Sequence, residues 1–102
     1  MINVIVSYQV KPEFVEDNKT NIKLFLNSFK KLDNSTFNYS VFIHSDGLTF
    51  THISNYINED IQKTVLNDPD FLEFQKKRDE TGLNDSHKVE ILEYIGSTNR
   101  IL

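Results

Sequence analysis

The sequence predicts an α+β fold in which helices cover one face of a four-stranded antiparallel sheet. The chain has 102 residues, which is enough for one small domain. Its apolar pattern changes period in the order strand, helix, strand, strand, helix, strand. Turn signals separate these segments at Pro12, at Asp46-Gly47 and at Asp68-Pro69. This order is the ferredoxin-like βαββαβ arrangement, and we expect one domain over residues 1–102.

The first strand and the first helix have the clearest patterns. Residues 2 to 10 alternate, and every second side chain is apolar or aromatic, as in a half-buried strand. Pro12 then suits the first position of a helix, where its missing N–H costs nothing. Apolar residues recur at helical spacing at Val15, Ile22, Phe25, Leu26 and Phe29. We therefore expect an amphipathic helix over about residues 12 to 32.

Two strands follow, over residues 37–44 and 48–56, and Asp46-Gly47 between them is a strong hairpin signal. A two-residue loop there makes cross-strand partners sum to 93. It pairs Ile43 with Phe50, Val41 with His52, and Tyr39 with Ser54. His44 and His52 then lie on opposite faces and cannot share a metal.

The second half of the chain predicts more helix and a last strand. Asn58 is a suitable cap for a short helix that ends at Leu66. Asp68 and Pro69 begin another helical segment, which Gly82 ends. Residues 87–96 read as the last strand, and residues 97–102 as a tail.

Two helices cover only one face of such a sheet, yet apolar residues occur on both faces. Ile5 lies opposite the main apolar set of the first strand, and Leu92 and Tyr94 lie opposite Val89 and Ile91. A second copy of the chain, packed through a two-fold interface, would cover the other face. We therefore expect a homodimer.

Composition and charge exclude several functions. The net charge is −4, and the one basic run, Lys76-Lys77-Arg78, precedes two acidic residues and reads as a solvated helix face, which argues against nucleic-acid binding. No stretch is apolar enough to cross a membrane, and the N-terminus reads as a strand, not as a signal peptide. The absence of cysteine fits the cytoplasm. The three glycines form no phosphate-binding motif and no metal-ligand spacing occurs, so we expect neither a cofactor nor a metal.

His52 is the most interesting candidate for chemistry. It lies in the middle of a strand, and its neighbours on the same face are mostly apolar or aromatic. One interpretation is a buried imidazole that a neighbouring polar group satisfies and that holds the sheet together. The other is a polar group in a ligand pocket, where burial lowers its pKa and the neutral ring can accept a proton from a phenol-like hydroxyl.

Three segments resemble the antibiotic biosynthesis monooxygenase (ABM) superfamily of the dimeric α/β-barrel group. They are Phe50-Thr-His-Ile-Ser-Asn-Tyr56, Asn58-Glu-Asp-Ile61 and Asn67-Asp-Pro-Asp-Phe71. The resemblance implies a dimeric α/β barrel with a small apolar pocket between sheet and helices. Known members include cofactor-independent quinol or polyketide oxygenases and haem-degrading oxygenases.

The resemblance also marks candidate site residues and departures. Tyr56 stands where a Trp often ends the third strand, and Val65 stands at the His or Trp position of the short helix. Gln75 and Ser7 stand where haem degraders carry a His ligand and an Asn. Haem breakdown is therefore not expected. The pocket-lining candidates are Ser7, Tyr39, Phe50, Ser54, Val65 and Gln75, and the candidate catalytic groups are His52 and Tyr56.

Two functional hypotheses follow, with a third beside them. The resemblance favours a cofactor-independent monooxygenase that acts on a small planar aromatic or quinol-type substrate, which the protein deprotonates or orients. The alternative is a non-catalytic small-molecule-binding or stress-associated protein. A purely structural dimerisation module is the third hypothesis. In each case the expected partners are a second copy and, for the first two, a small apolar or aromatic ligand.

Overall fold

The strands form one antiparallel sheet in the order β2-β3-β1-β4, which confirms the ferredoxin-like fold. The computed structural model describes residues 1–83 and 86–102, and gives only the backbone for residues 81 and 82. The elements are β1 (Ile2–Gln9), α1 (Val15–Phe29), β2 (Phe37–Ile43), β3 (Thr49–Tyr56), α2 (Glu59–Leu66), α3 (Pro69–Lys77) and β4 (Lys88–Leu92).

The register of the hairpin is the predicted one, but its loop is longer. Tyr39 pairs with Ser54, Val41 with His52, and Ile43 with Phe50. The strands end at Ile43 and resume at Thr49, so the two-residue loop was wrong. The pairing is unchanged because the N–H of His44 donates to the carbonyl of Thr49, 2.8 Å away, and these two positions also sum to 93. Gly47, with φ of 72°, adopts the left-handed conformation that favours glycine.

The first helix is shorter than predicted. Pro12 begins a 3₁₀ turn, Pro12–Phe14, and α1 runs from Val15 to Phe29 instead of to residue 32. At the end of α1 the N–H of Lys31 donates to the carbonyl of Ser28, 3.1 Å away, three residues back. This tighter bonding closes the helix at Phe29, the last residue of the apolar pattern, before the predicted end at residue 32.

The caps of α2 and α3 are those that the sequence predicts. The side chain of Asn58 accepts from the N–H of Ile61, and that of Asp68 accepts from the N–H groups of Asp70 and Phe71. After α3 a π-helical turn, Arg78–Gly82, continues the chain and ends at the predicted glycine.

The last strand is five residues long instead of the ten predicted. Its pairing with β1 ends where Asn3 faces Leu92, one residue after the start of β1. Beyond Leu92 only Ile2 of β1 remains, so β1 offers too few backbone groups to extend the pairing. The residues from 93 onward carry no helix or strand.

The core between sheet and helices is mainly aromatic. The ring of Phe25 is fully buried and lies 4.8–5.5 Å, centroid to centroid, from the rings of Phe29, Tyr39, Phe71 and Phe74. The opposite face of the sheet is not covered by helices. Phe42 and Ile53 are exposed there, beside polar pairs such as Asn3 with Asn55. That face therefore combines polar pairs with a few exposed apolar side chains.

Within residues 1–83 and 86–102, no helix is long and apolar enough to span a membrane.

Candidate functional site

The side chain of His52 lies between two tyrosines on the helix-covered face of the sheet. Its Nε2 is 2.8 Å from the hydroxyl oxygen of Tyr8 on β1, and its Nδ1 is 2.8 Å from the hydroxyl oxygen of Tyr39 on β2. The pairing of β3 with both strands brings the three side chains to one face. Both ring nitrogens are thus engaged, and 2% of His52 remains exposed.

Burial controls the charge of this group. It lowers the pKa of His52 to about 3, and the nearby positive charge of Arg78 acts in the same direction. Burial also raises the pKa of Tyr8 to about 12, against a smaller opposite effect of its hydrogen bond with Asn18. The pKa of Tyr39 is raised well above its ordinary value, mainly by burial. All three groups are therefore neutral at pH 7.

Two further residues complete the cluster, and neither was predicted from the sequence. Asn18 is fully buried in α1, and its Nδ2 donates to the Tyr8 hydroxyl, 3.1 Å away. The signal was available, because Asn18 precedes Ile22, Phe25 and Phe29 at helical spacing and so is a polar residue within the apolar stripe.

Arg78 corrects the interpretation of the basic run. Its side chain is buried, so it does not belong to a solvated face. The guanidinium lies 5.2 Å from the ring centre of Tyr8 and 5.5 Å from that of Phe74, and it pairs with Asp79 at 3.1 Å. Arg78 follows Phe71 and Phe74 at spacings of seven and four, which continues the buried stripe of α3.

A cavity of about 250 Å³ adjoins this cluster, between the sheet and the helices α2 and α3. Tyr39, His52 and Arg78 contribute polar groups to its wall. Val89 and Ile91 of β4 line its other side and are exposed, so the cavity opens toward that edge of the sheet. Its size suits one small planar molecule, and its mixture of apolar walls with a few converging polar groups is typical of ligand sites.

The structure brings together five of the eight residues that the sequence proposed for the site. They are Tyr39, His52, Ser54, Tyr56 and Gln75. Ser7 lies on the opposite face of the sheet, where its hydroxyl is 3.4 Å from that of Thr51. Phe50 stacks on Tyr8 within the core, and Val65 is a buried residue of α2. These three do not line the cavity, because one is on the wrong face and two are covered by the packing.

The other two histidines differ from His52. The Nε2 of His44 is 2.6 Å from the Thr51 hydroxyl on the uncovered face, so His44 and His52 lie on opposite faces as predicted. His87 is exposed at the mouth of the cavity, and partial burial lowers its pKa. The residues that the structure describes contain no cluster of three or more His, Cys, Asp or Glu side chains that could hold a metal ion.

Other depressions lack this chemistry. One of about 350 Å³ between α1 and β2 is larger, but lysine and asparagine side chains form most of its polar wall. Another, of about 260 Å³, is a shallow apolar groove beside Phe42. Neither holds the buried histidine or arginine, so we assign the candidate site to the cavity beside His52.

Comparison with known proteins gives a match in structure but none in sequence. No protein-family model matches the chain, and no curated protein does. A crystal structure of an antibiotic biosynthesis monooxygenase superposes with a TM-score of 0.80 at 12% identity, covering 94% of this chain and 100% of that one. The fold is the ABM fold.

Two further structures show how widely sequences with this fold differ. A conserved protein from Methanosarcina mazei Go1 gives a TM-score of 0.76 at 21% identity, with 89% of each chain covered. SnoaB, a cofactor-independent oxygenase from Streptomyces nogalater, gives 0.73 at 10% identity, with 97% of each chain covered. The chain is therefore an ABM-like, ferredoxin-like protein by fold, and its chemistry has to be argued from its own residues.

Proposed function

We propose that this protein is a cofactor-independent monooxygenase that acts on a small planar aromatic compound of the quinol or phenol type. The observation that supports this proposal is the buried Tyr8–His52–Tyr39 cluster on the wall of a cavity that also receives the cation of Arg78. The likeness of the fold to ABM structures, one of them a cofactor-independent oxygenase by name, supports the same reaction class.

The proposed reaction needs an electron-rich, ionised substrate. A phenol that has lost its hydroxyl proton can transfer an electron to O₂, and recombination at an unsubstituted ring carbon forms a carbon–oxygen bond. Loss of water then leaves a quinone, so that one phenol and one O₂ give one quinone and one water. The positive charge of Arg78 beside the cavity would stabilise the aryl oxide, because opposite charges attract strongly at a poorly solvated site.

In this proposal His52 orients Tyr39 and does not accept the hydroxyl proton of the substrate. A group whose pKa is about 3 is a weak base at neutral pH. Its hydrogen bonds instead fix the position of Tyr39 at the cavity wall, and we propose that Tyr56, which also lines the cavity, contacts the ring of the substrate. The substrate proton would leave through the open side of the cavity, beside Val89.

The test is oxidation of 1-naphthol under ¹⁸O₂. We expect 1,4-naphthoquinone that carries one ¹⁸O atom, formed faster than in a protein-free control and without release of hydrogen peroxide. His52→Gln should lower the rate by about 10²-fold. His44→Gln, on the opposite face, is the matched control and should leave the rate unchanged. A rate equal to the protein-free control would refute the monooxygenase proposal.

The low pKa of His52 also favours the second candidate, a binding protein without turnover. With His52 unable to accept a proton at pH 7, the same cavity could hold an aromatic ligand and release it unchanged. Saturable binding of 1-naphthol with no quinone formed would support this function. A purely structural dimerisation module would show neither, and it offers no reason for a buried polar cluster beside a cavity.

We also propose that the protein is a cytoplasmic homodimer. The uncovered face of the sheet exposes Phe42, Ile53 and Leu92, and two such faces packed together would remove these side chains from water. The absence of cysteine is consistent with a reducing compartment.

A further inference from the structure

A chain of hydrogen bonds links the core of α1 to the wall of the cavity. It runs from the amide of Asn18 to the Tyr8 hydroxyl at 3.1 Å, on to His52 Nε2 at 2.8 Å, and from His52 Nδ1 to the Tyr39 hydroxyl at 2.8 Å. With Nδ2 of Asn18 facing the Tyr8 hydroxyl, the first link has one direction, because an amide N–H can only donate. The Oδ1 of Asn18 is buried and has no partner among the residues that the structure describes.

The direction of the first link determines the tautomer of His52. A neutral imidazole has one N–H, and its other nitrogen accepts. If the proton were on Nε2, the Tyr8 oxygen would accept from both Asn18 and His52. The Tyr8 hydrogen would then have no acceptor in the described part of the chain, which is unfavourable in a buried site. With the proton on Nδ1, Asn18 donates to Tyr8, Tyr8 donates to Nε2, and Nδ1–H donates to Tyr39, so each of the three bonds has one donor and one acceptor.

The tautomer in turn fixes the role of Tyr39. Its oxygen accepts from Nδ1–H of His52, so its own hydrogen is available to another group. Tyr39 lines the cavity, and Arg78 lines the same cavity. A ligand atom that approaches there meets a hydrogen-bond donor beside a positive charge.

We propose that Asn18, acting through Tyr8 and His52, orients the Tyr39 hydroxyl as a hydrogen-bond donor to an acceptor oxygen of the ligand. The inference rests on the proposed function for the position of the ligand, and it narrows the ligand class. The cavity takes planar aromatics that carry an aryl oxide or a quinone carbonyl, and it disfavours aromatics without an acceptor oxygen. Asn18 is a positioning residue, because it does not line the cavity.

The tautomer can be measured without any ligand. In protein labelled with ¹⁵N-histidine, we expect the ¹⁵N shifts of His52 at pH 7 to show a protonated Nδ1 and an unprotonated, hydrogen-bonded Nε2. Asn18→Leu removes the donor at similar size and should give a mixture of both tautomers. Asn27→Leu, at an exposed position of α1, is the matched control and should keep the wild-type signature. A wild-type protein with the proton on Nε2, or on both nitrogens, would overturn the inference even if Asn18→Leu did not fold.

Binding tests the ligand class. We expect 1,4-naphthoquinone to bind, and Tyr39→Phe to weaken it by about tenfold, since one hydrogen bond to the ligand is lost. Naphthalene has the same ring system without oxygen, and Tyr39→Phe should leave its binding unchanged. Equal loss for both ligands would contradict the donor role of Tyr39 while leaving an aromatic-binding cavity. If neither bound to the wild-type protein, the proposed function and the ligand class would both be refuted, and the ¹⁵N measurement would still decide the role of Asn18.

Discussion

The two faces of one sheet give two histidines opposite properties. His52 and His44 belong to the same hairpin, yet His52 is 2% exposed between two tyrosines, and His44 is exposed and contacts Thr51. Both residues are histidines, so the difference in exposure comes from the helices that pack over one face of the sheet. Helices α1 and α3 pack aromatic rings over His52, whereas His44 is exposed on the opposite face.

The same contrast holds for the neighbouring polar groups. On the uncovered face, Ser7 and Asn3 bond to the nearest groups on adjacent strands. On the covered face, hydrogen bonds extend from α1 across three strands to the cavity. Polar groups inside an aromatic core must form their hydrogen bonds with one another. Each group therefore determines whether the next one donates or accepts.

The largest expected effect comes from the aromatic cover itself. Phe25→Ala should lower the free energy of unfolding by about 3–5 kcal/mol, because Phe25 is fully buried and contacts His52 and four other rings. Leu24→Ala, at an exposed position of the same helix, should change it by less than about 0.5 kcal/mol. Urea denaturation measures both. Equal losses would contradict the claim that the covered face carries the stability.

Protonation of His52 should change the free energy of unfolding by about 2 kcal/mol over the range of pH given below. The unfolded chain binds a proton on this imidazole below about pH 6.5, whereas the folded chain does so only near pH 3. Stability should therefore fall as the pH is lowered, by about 2 kcal/mol between pH 7 and pH 5. Denaturation at several pH values measures the slope.

The slope should largely disappear in His52→Gln and largely remain in His87→Gln, because His87 is exposed and contributes less. Hydrogen bonds from Thr49 and Leu48 lower the pKa of Asp46 to about 2, so Asp46 changes charge below this range. An unchanged slope in His52→Gln would show that His52 is not buried as the neutral form.

The uncovered face should matter for association more than for folding. Light scattering at micromolar concentration should give about twice 11.9 kDa, with an interface on the order of 2,000 Å². Ile53→Asp on that face should give a folded monomer, and Leu72→Asp on the outer side of α3 should stay dimeric. A wild-type monomer would leave the uncovered face without the proposed partner.

The last prediction is that the protein does not break down haem. With Ser7, Val65 and Gln75 at the positions that match haem degraders, haemin and a reductant should lose the Soret band no faster than in a protein-free control. Regiospecific biliverdin-like products would contradict that comparison.

The sequence predicted the fold well because its signals are local. Alternation, helical spacing, Asn58, Asp68-Pro69 and the hairpin register each report on nearby backbone, and the structure contains the element that each one predicts. The errors are at ends: β4 stops where β1 begins, which depends on a pairing 89 residues apart in the chain, as between Asn3 and Leu92. The helix α1 also ends earlier than predicted, because its end depends on backbone hydrogen bonds, which the spacing of apolar side chains does not reveal.

The site was predicted less well because it depends on which side chains meet. His52 and Tyr39 were identified from one hairpin, where the register is fixed by a turn. Tyr8 and Asn18 reach His52 from other elements, and Arg78 was assigned to a charged face although it continues an apolar stripe. A polar residue at an apolar stripe position is the signal that would have found both Asn18 and Arg78.

One measurement tests most directly whether the covered face is the functional one. Titration of ¹⁵N-labelled protein with 1,4-naphthoquinone, followed by amide chemical shifts, reports which face the ligand contacts. We predict that the largest shifts occur around the cavity, at Val6, Gln75 and Val89, with little change at Phe42 or His44. Shifts that concentrate on the uncovered face, or no shifts at all, would contradict the assignment of the site to the cavity beside His52.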